Sequence, residues 1–141
     1  MRRGKGVRLA PFLFLFIAAI SCGPSRATPP KSKSTVLWSK LGQWSGRGNL
    51  QTESFIGATG YLRVTWETTH EEPSGAGRFK LTVGSSISGR PLAVMVDAHG
   101  AGHDVAYLSE DPRTFYALVD SADVDWKFTI DEGYPAAIQE K

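Results

Sequence analysis

Apolar and polar residues alternate with a period of two along three stretches of the chain. Leu62, Val64 and Trp66 alternate with Arg63, Thr65 and Glu67. Phe79, Leu81 and Val83 alternate with Arg78, Lys80 and Thr82. Val124, Trp126, Phe128 and Ile130 alternate with Asp125, Lys127, Thr129 and Asp131. Successive side chains of a strand point to opposite faces, so each stretch predicts a strand with one buried face. Leu92–Val96 and Phe115–Val119 are almost continuously apolar and predict central strands with more complete cover. Val36–Trp38, Leu50–Ile56 and Val105–Leu108 are shorter candidates.

Turn residues punctuate these runs. His70–Gly77 (HEEPSGAG), Gly84–Gly89 (GSSISG), Glu110-Asp111-Pro112 and Asp120–Asp123 (DSAD) separate one strand from the next. No stretch after the N-terminal segment carries a 3.6-residue stripe, so helix is expected to be scarce. About eight short strands with short links predict an all-β fold, two antiparallel sheets packed as a sandwich. The succession LRVTW, GRFKLTV, TFYALV and VDWKFTI resembles the strand rhythm of small jelly-roll or CUB-like sandwiches on bacterial surface lipoproteins, over residues 43–132. The resemblance includes no functional motif and transfers no binding residue. CUB domains usually carry disulfides, which this chain cannot form within itself, because Cys22 is its one cysteine.

The N-terminus follows a different pattern. Arg2, Arg3, Lys5 and Arg8 precede twelve apolar residues, Leu9 to Ile20. This is the layout of a secretory signal peptide. Twelve helical residues rise only about 18 Å, short of a ~30 Å hydrocarbon core, so a permanent span is not expected. The run ends at Ala19-Ile20-Ser21-Cys22, which resembles the lipobox of bacterial lipoproteins, although that family usually has Leu where Ala19 stands. The resemblance implies cleavage after Ser21, a thioether-linked lipid on Cys22 and acylation of the new amino group. Gly23 at the following position, in place of an acidic residue, leans towards the outer membrane. Residues 23–35, GPSRATPPKSKST, read as a solvated tether. The expected organisation is a signal peptide over 1–21, a lipidated cysteine and linker over 22–35, and a β-sandwich domain over 36–141.

Cleavage changes the charge balance. The whole chain carries 16 basic and 14 acidic residues, but from Cys22 onward there are 12 against 14, a net charge of −2. Without Arg26, Lys31 and Lys33 of the tether the balance is 9 against 14, or −5. A net acidic domain without a basic stripe is not expected to bind nucleic acid.

Four groups of residues could carry chemistry. Asp97, His99, His103 and Asp104 fall within eight residues on a Gly-rich turn and are suitable ligand types for zinc or a similar ion. A His pair spaced i, i+4 is a strong ligand signal only on a helix, and the intervening glycines and flanking strands place this one on a turn, so a solvated hairpin is the simpler reading. Asp120, Asp123 and Asp125 could offer oxygens to calcium but lack an EF-hand pattern, and they read as turn residues. His70-Glu71-Glu72 reads as a charged loop tip. Trp38, Trp44, Tyr61, Tyr107 and Tyr116 lie outside the cleanest inward positions, and Trp44, Tyr61 and Tyr107 are the candidate binding aromatics, with core or sheet-edge packing the simpler reading for Trp44 and Tyr61. No GxSxG elbow, P-loop or dinucleotide fingerprint is present.

The expected function is that of a membrane-anchored extracytoplasmic lipoprotein. Its partners would be the bilayer, through the anchor, and an envelope protein or glycan, through the domain. No cofactor other than the covalent lipid on Cys22 is expected. A small metal-dependent enzyme using the His99/His103 loop and a structural lipoprotein without a ligand are the alternatives. Cys22→Ala is expected to leave the chain uncleaved or soluble, while the wild type enters the detergent phase. Detergent partition and the intact mass of the mature chain check this; an unlipidated chain beginning elsewhere would overturn it.

Overall fold

The computed structural model describes residues 34–137. The expected signal peptide, the expected lipidation site at Cys22 and the segment read as a tether up to Lys33 lie outside the described residues. Nine strands are present: β1 (Ser34–Arg47), β2 (Leu50–Gln51), β3 (Phe55–Gly57), β4 (Tyr61–Thr69), β5 (Arg78–Ser85), β6 (Pro91–His99), β7 (Gly102–Ser109), β8 (Arg113–Ala122) and β9 (Asp125–Ala137). There is no helix among the described residues. The strands form an antiparallel sandwich, with β1-β9-β4-β7 in one sheet and β2-β8-β5-β6 in the other. The short β3 also pairs with β8.

The three alternating runs are β4, β5 and β9, and their apolar faces meet. Leu62, Val64, Phe79, Leu81, Val83, Val124, Trp126, Phe128 and Ile130 are all buried, and Trp66 is partly buried against them. From β8 come Phe115, Ala117 and Val119. Phe79 packs between Trp66 and Trp126, at ring-centroid distances of 5.8 and 6.1 Å. This core lies wholly within the described residues, and no buried side-chain polar atom there lacks a partner.

Several expectations are corrected. Ser34 and Thr35, read as the end of the tether, are paired strand opposite Ala137 and Ala136. Leu92–Val96 is not a central strand: β6 is an edge strand paired only with β5. Register shifts between Leu81/Thr82 and Val83/Gly84 disturb its alternation. Leu92, Met95 and Val96 therefore all reach the core, while Val94 stays exposed. β8 is central, yet its outward Leu118 is 41% exposed, so no layer of the described residues covers it. Leu50–Ile56 is two strands, β2 and β3. Thr52 bridges the break by donating its N–H to Ala117 O and accepting Ala117 N–H at Oγ1, both at 2.9 Å.

Phe79→Ala is expected to cost about 3–5 kcal/mol, from lost burial plus the cavity left between two indoles. Leu118→Ala, on an exposed face, is expected to cost under about 1 kcal/mol. Urea denaturation of the two variants checks the contrast, and equal losses would contradict the assignment of faces.

Candidate functional site

The registers of β1, β9, β4 and β7 determine what the outer face of the four-stranded sheet presents. Directly opposed residues form rungs across it. One rung is Lys40–Asp131–Arg63–Tyr107, the next is Gln43–Thr129–Thr65–Val105, and the third is Ser45–Lys127–Glu67–His103. A fourth, Arg47–Asp125–Thr69, closes one end. At the other end Trp38 lies opposite Gly133.

That end holds an aromatic shelf. Trp38 packs against Tyr61 at 5.2 Å and Tyr107 at 5.9 Å between ring centroids, and Tyr61 and Tyr107 stack at 6.4 Å with their planes 18° apart. Gly133 is its floor. A Cβ there would stand 2.5 Å from Tyr61 Cδ1, 2.9 Å from Val36 Cγ1 and 3.0 Å from Trp38 Cζ3, so the rings close over the strand because it has no side chain at this point. Arg63 braces the shelf. Its guanidinium sits 4.2 Å from the centre of the Trp38 ring, while Nε and Nη2 donate to Asp131 Oδ2 at 3.1 and 2.8 Å. Asp131 is buried and Arg63 is half-buried, so this pair is less screened than an open surface pair. Tyr107 is 58% exposed and presents the shelf to solvent.

Away from the shelf the face is polar and shallow. One open depression of about 460 Å³ is lined by Thr65, Glu67, His103, Lys127 and Thr129 among others. Another, of about 520 Å³, shares Glu67 and Lys127 and extends to Arg47, His70 and Asp125. Asp125 accepts from Arg47 Nη1 at 3.1 Å and contacts His70 Nδ1 at 2.9 Å. The Arg47 hydrogen bond holds the Asp125 carboxyl below its ordinary value; partial burial opposes this and His70 adds to it.

Of the three candidate aromatics, Tyr61 and Tyr107 share the shelf and Trp44 does not. Trp38 and Trp44 are six residues apart, which in a regular strand places them on one face. The register of β1 shifts between Lys40 and Gly42, and the extra residue, Leu41, turns everything after it over. Trp44 then lies opposite Phe128, stacks on it at 5.2 Å and packs against the core. Its indole covers Gly42, where a Cβ would collide with the ring. Trp38 takes its place on the outer face. Tyr116 belongs to the other sheet, where its hydroxyl donates to Gly89 O at 3.0 Å.

The Asp97–Asp104 segment is not a hairpin. β6 belongs to one sheet and β7 to the other, so the turn crosses the sandwich. His99 and Asp97 stand opposite Arg78 and Lys80 on the outer face of the five-stranded sheet. His103 stands opposite Glu67 on the outer face of the four-stranded one, and Asp104, its neighbour, takes the opposite side of β7. The two imidazoles therefore face opposite sides of the sandwich. Among the described residues no group of three or more His, Cys, Asp or Glu is placed to hold a metal ion. The turn is pinned to the body: Thr68 Oγ1 donates to Gly100 O at 2.8 Å and accepts Gly102 N–H at 3.0 Å.

The acidic residues near the DSAD turn separate in the same way. Asp120 lies 3.5 Å from Arg78 Nη2, Asp123 adopts a left-handed φ of 60°, and Asp125 turns to Arg47. In the HEE loop, Glu71 Oε1 accepts the N–H groups of Gly75 and Gly77, so this carboxylate closes its own loop. Neither a protein-family model nor a curated protein sequence matches the chain.

A carboxyl whose folded pKa is depressed adds stability above its unfolded value, and that stability is lost as pH falls through the folded value. For Asp125 the unfolded value is near 3.8, so the contribution is present above it and disappears below. Asp125→Asn is therefore expected to flatten the acid limb of the stability curve and leave its basic limb unchanged. Urea midpoints measured between about pH 2 and pH 7 check this, and an unaltered acid limb would show that the Arg47 contact contributes nothing.

Proposed function

We propose that the chain is an exported, lipid-anchored envelope protein whose sandwich is a non-catalytic binding module, and that it binds glycan on the outer face of its four-stranded sheet. The shelf of Trp38, Tyr61 and Tyr107 carries this reading. Aromatic faces present a negative π-surface that attracts the polarised C–H groups on one face of a pyranose ring. The rungs beside the shelf offer what sugar hydroxyls need: Gln43, Thr65 and Thr129 as donors and acceptors, and Lys127 and Glu67 as charged partners. The face is open and shallow, which suits a chain lying across it better than a small molecule held in a cleft. The lipobox-like Ala19-Ile20-Ser21-Cys22 and the apolar run before it support the envelope setting.

His99 and His103, on opposite sides of the sandwich, lend no support to the metal-dependent alternative. A purely structural lipoprotein would not need an exposed Tyr107 stacked on a braced ring pair.

Binding to immobilised envelope polysaccharides and a glycan array tests the reading. Wild type is expected to bind, and Tyr107→Ala to bind at least about tenfold more weakly, a loss of roughly 1.4 kcal/mol typical of a central aromatic. Tyr116→Ala, on the opposite face, should bind as wild type. No glycan binding, or equal binding by Tyr107→Ala, would overturn the assignment. An envelope protein captured by wild type and lost with Tyr107→Ala would keep the face and replace the ligand class.

A further inference from the structure

The first four residues of β1 and the last four of β9 extend beyond the sandwich body. Ser34, Thr35, Val36 and Leu37 pair with Ala137, Ala136, Pro135 and Tyr134. The pairing of β9 with β4 goes no further than Glu132 opposite Leu62, so at this end the sheet is reduced to a two-stranded ribbon. The ribbon contains no charged residue. Val36 and Pro135 project from one side, Leu37 and Tyr134 from the other. Val36 is 36%, Leu37 59% and Tyr134 40% exposed. Exposed apolar side chains on both sides of one uncharged ribbon are costly in water unless something covers them.

We infer that this ribbon rests in the interfacial layer of a lipid bilayer and sets the domain end-on to the membrane. Two observations choose the bilayer as occupant. First, residues follow the order of a membrane interface along the strand axis. Beyond the apolar ribbon comes the aromatic pair Trp38 and Tyr61, and beyond that the cations Lys40 and Arg63. At about 3.4 Å per residue, these rows stand roughly 7 and 14 Å along the strand from Val36, matching the sequence of acyl boundary, aromatic belt and basic headgroup contacts. Second, the chain enters the domain at this end. Eleven residues separate Cys22 from Ser34. Twelve peptide steps span at most about 40 Å. A lipid on Cys22 holds the ribbon end, not the far end, next to the bilayer; in this the inference rests on the lipid-anchor reading. The contact is confined to the interface, because the outer edges of a two-stranded ribbon carry unpaired backbone groups that hydrocarbon would not satisfy. End-on seating places Trp38 and Tyr61 at headgroup level and leaves Tyr107 and the polar rungs above them open to the side, so a ligand would meet the shelf through Tyr107, close to the membrane surface.

The test uses the mature, lipidated chain in phosphatidylcholine vesicles with and without brominated acyl chains. Trp44, Trp66 and Trp126 pack in or against the core, so the difference between wild type and Trp38→Phe isolates the Trp38 emission. Trp38 is expected to be quenched by the bromolipid and blue-shifted relative to the lipid-free chain in buffer. Leu37→Glu should abolish both effects while remaining anchored and folded by circular dichroism, and Leu37→Ile should retain them. An anchored wild type with unquenched Trp38, or equal quenching in Leu37→Glu, would overturn the inference. So would vesicle-independent dimers of wild type that Leu37→Glu dissociates, because the ribbon would then belong to a second copy. Failure of the anchor reads differently: Cys22 carries no lipid by mass and the chain does not float with vesicles. In that case lipid-free chain titrated with vesicles decides, and binding lost in Leu37→Glu sustains the ribbon contact while its absence ends it.

Discussion

Each side chain of β9 points either into the core or onto the outer face, and one register fixes both destinations. Val124, Trp126, Phe128 and Ile130 are buried against the five-stranded sheet. Slipping the strand by one residue would turn Trp126, Phe128 and Ile130 out of the core and point Asp125, Lys127 and Asp131 into it, a penalty far larger than the net stability of a domain this size. The hydrophobic core therefore holds the register, and the register sets the rungs of the outer face. Asp131 meets Arg63, Thr129 meets Thr65 and Lys127 meets Glu67 because Phe128 and Ile130 must face inward. The candidate binding face is a consequence of the packing behind it.

This explains which features could be read from the sequence. Alternation in β4, β5 and β9 depends only on neighbouring residues, so their buried faces were legible, as was a two-sheet antiparallel sandwich with little helix. Features set by pairing between distant segments were not. Whether Trp44 packs in the core or on the surface could not be read locally, because it depends on the bulge at Leu41, visible only when β1 is laid against β9. Trp38 already lay outside the cleanest inward positions; that it, and not Trp44, joins Tyr61 and Tyr107 follows from the same bulge. The one local hint was Gly42 two residues before Trp44, since a glycine beneath an indole marks a close approach to the backbone. The His99–His103 spacing was read as a hairpin because sequence cannot say whether two strands joined by a short turn share a sheet. Here they do not, and four residues of separation in the chain become opposite sides of the molecule.

The shelf is stiffer than a set of surface rings would ordinarily be. Trp38 is held from below by the missing side chain of Gly133, from one side by Tyr61 and from another by the Arg63 guanidinium. Arg63 is in turn held by Asp131, which is buried and has little freedom to turn elsewhere. Rings already fixed in a stacked geometry lose little conformational freedom when a ligand covers them, which favours binding over a comparable but mobile patch. A buried carboxylate bonded to one guanidinium adds little net stability by itself, because desolvation offsets the attraction. Its contribution here is to the position of Arg63 and, through it, of Trp38.

Small domains often use disulfides to offset a limited core, and this chain has a single cysteine, Cys22, so no disulfide can form within it. Its stability must come from the two sheets alone. Aromatic packing compensates: Trp44, Phe55, Phe79, Phe115, Trp126 and Phe128 form a continuous run of ring contacts across the interior. Each such ring buries more area than an aliphatic side chain, so a compact sandwich can be held without a covalent crosslink. The polar groups that do enter are matched one by one, as when Glu132 accepts Thr59 N–H and the Tyr134 hydroxyl, or Thr68 clasps the turn between the sheets. The Glu132 bond raises the Tyr134 hydroxyl above its ordinary pKa and keeps it a donor, tying the base of the ribbon to the buried end of β9. With the ribbon fastened there, the apolar end of the molecule and the aromatic shelf keep a constant orientation to each other, set by the strand that also carries the core.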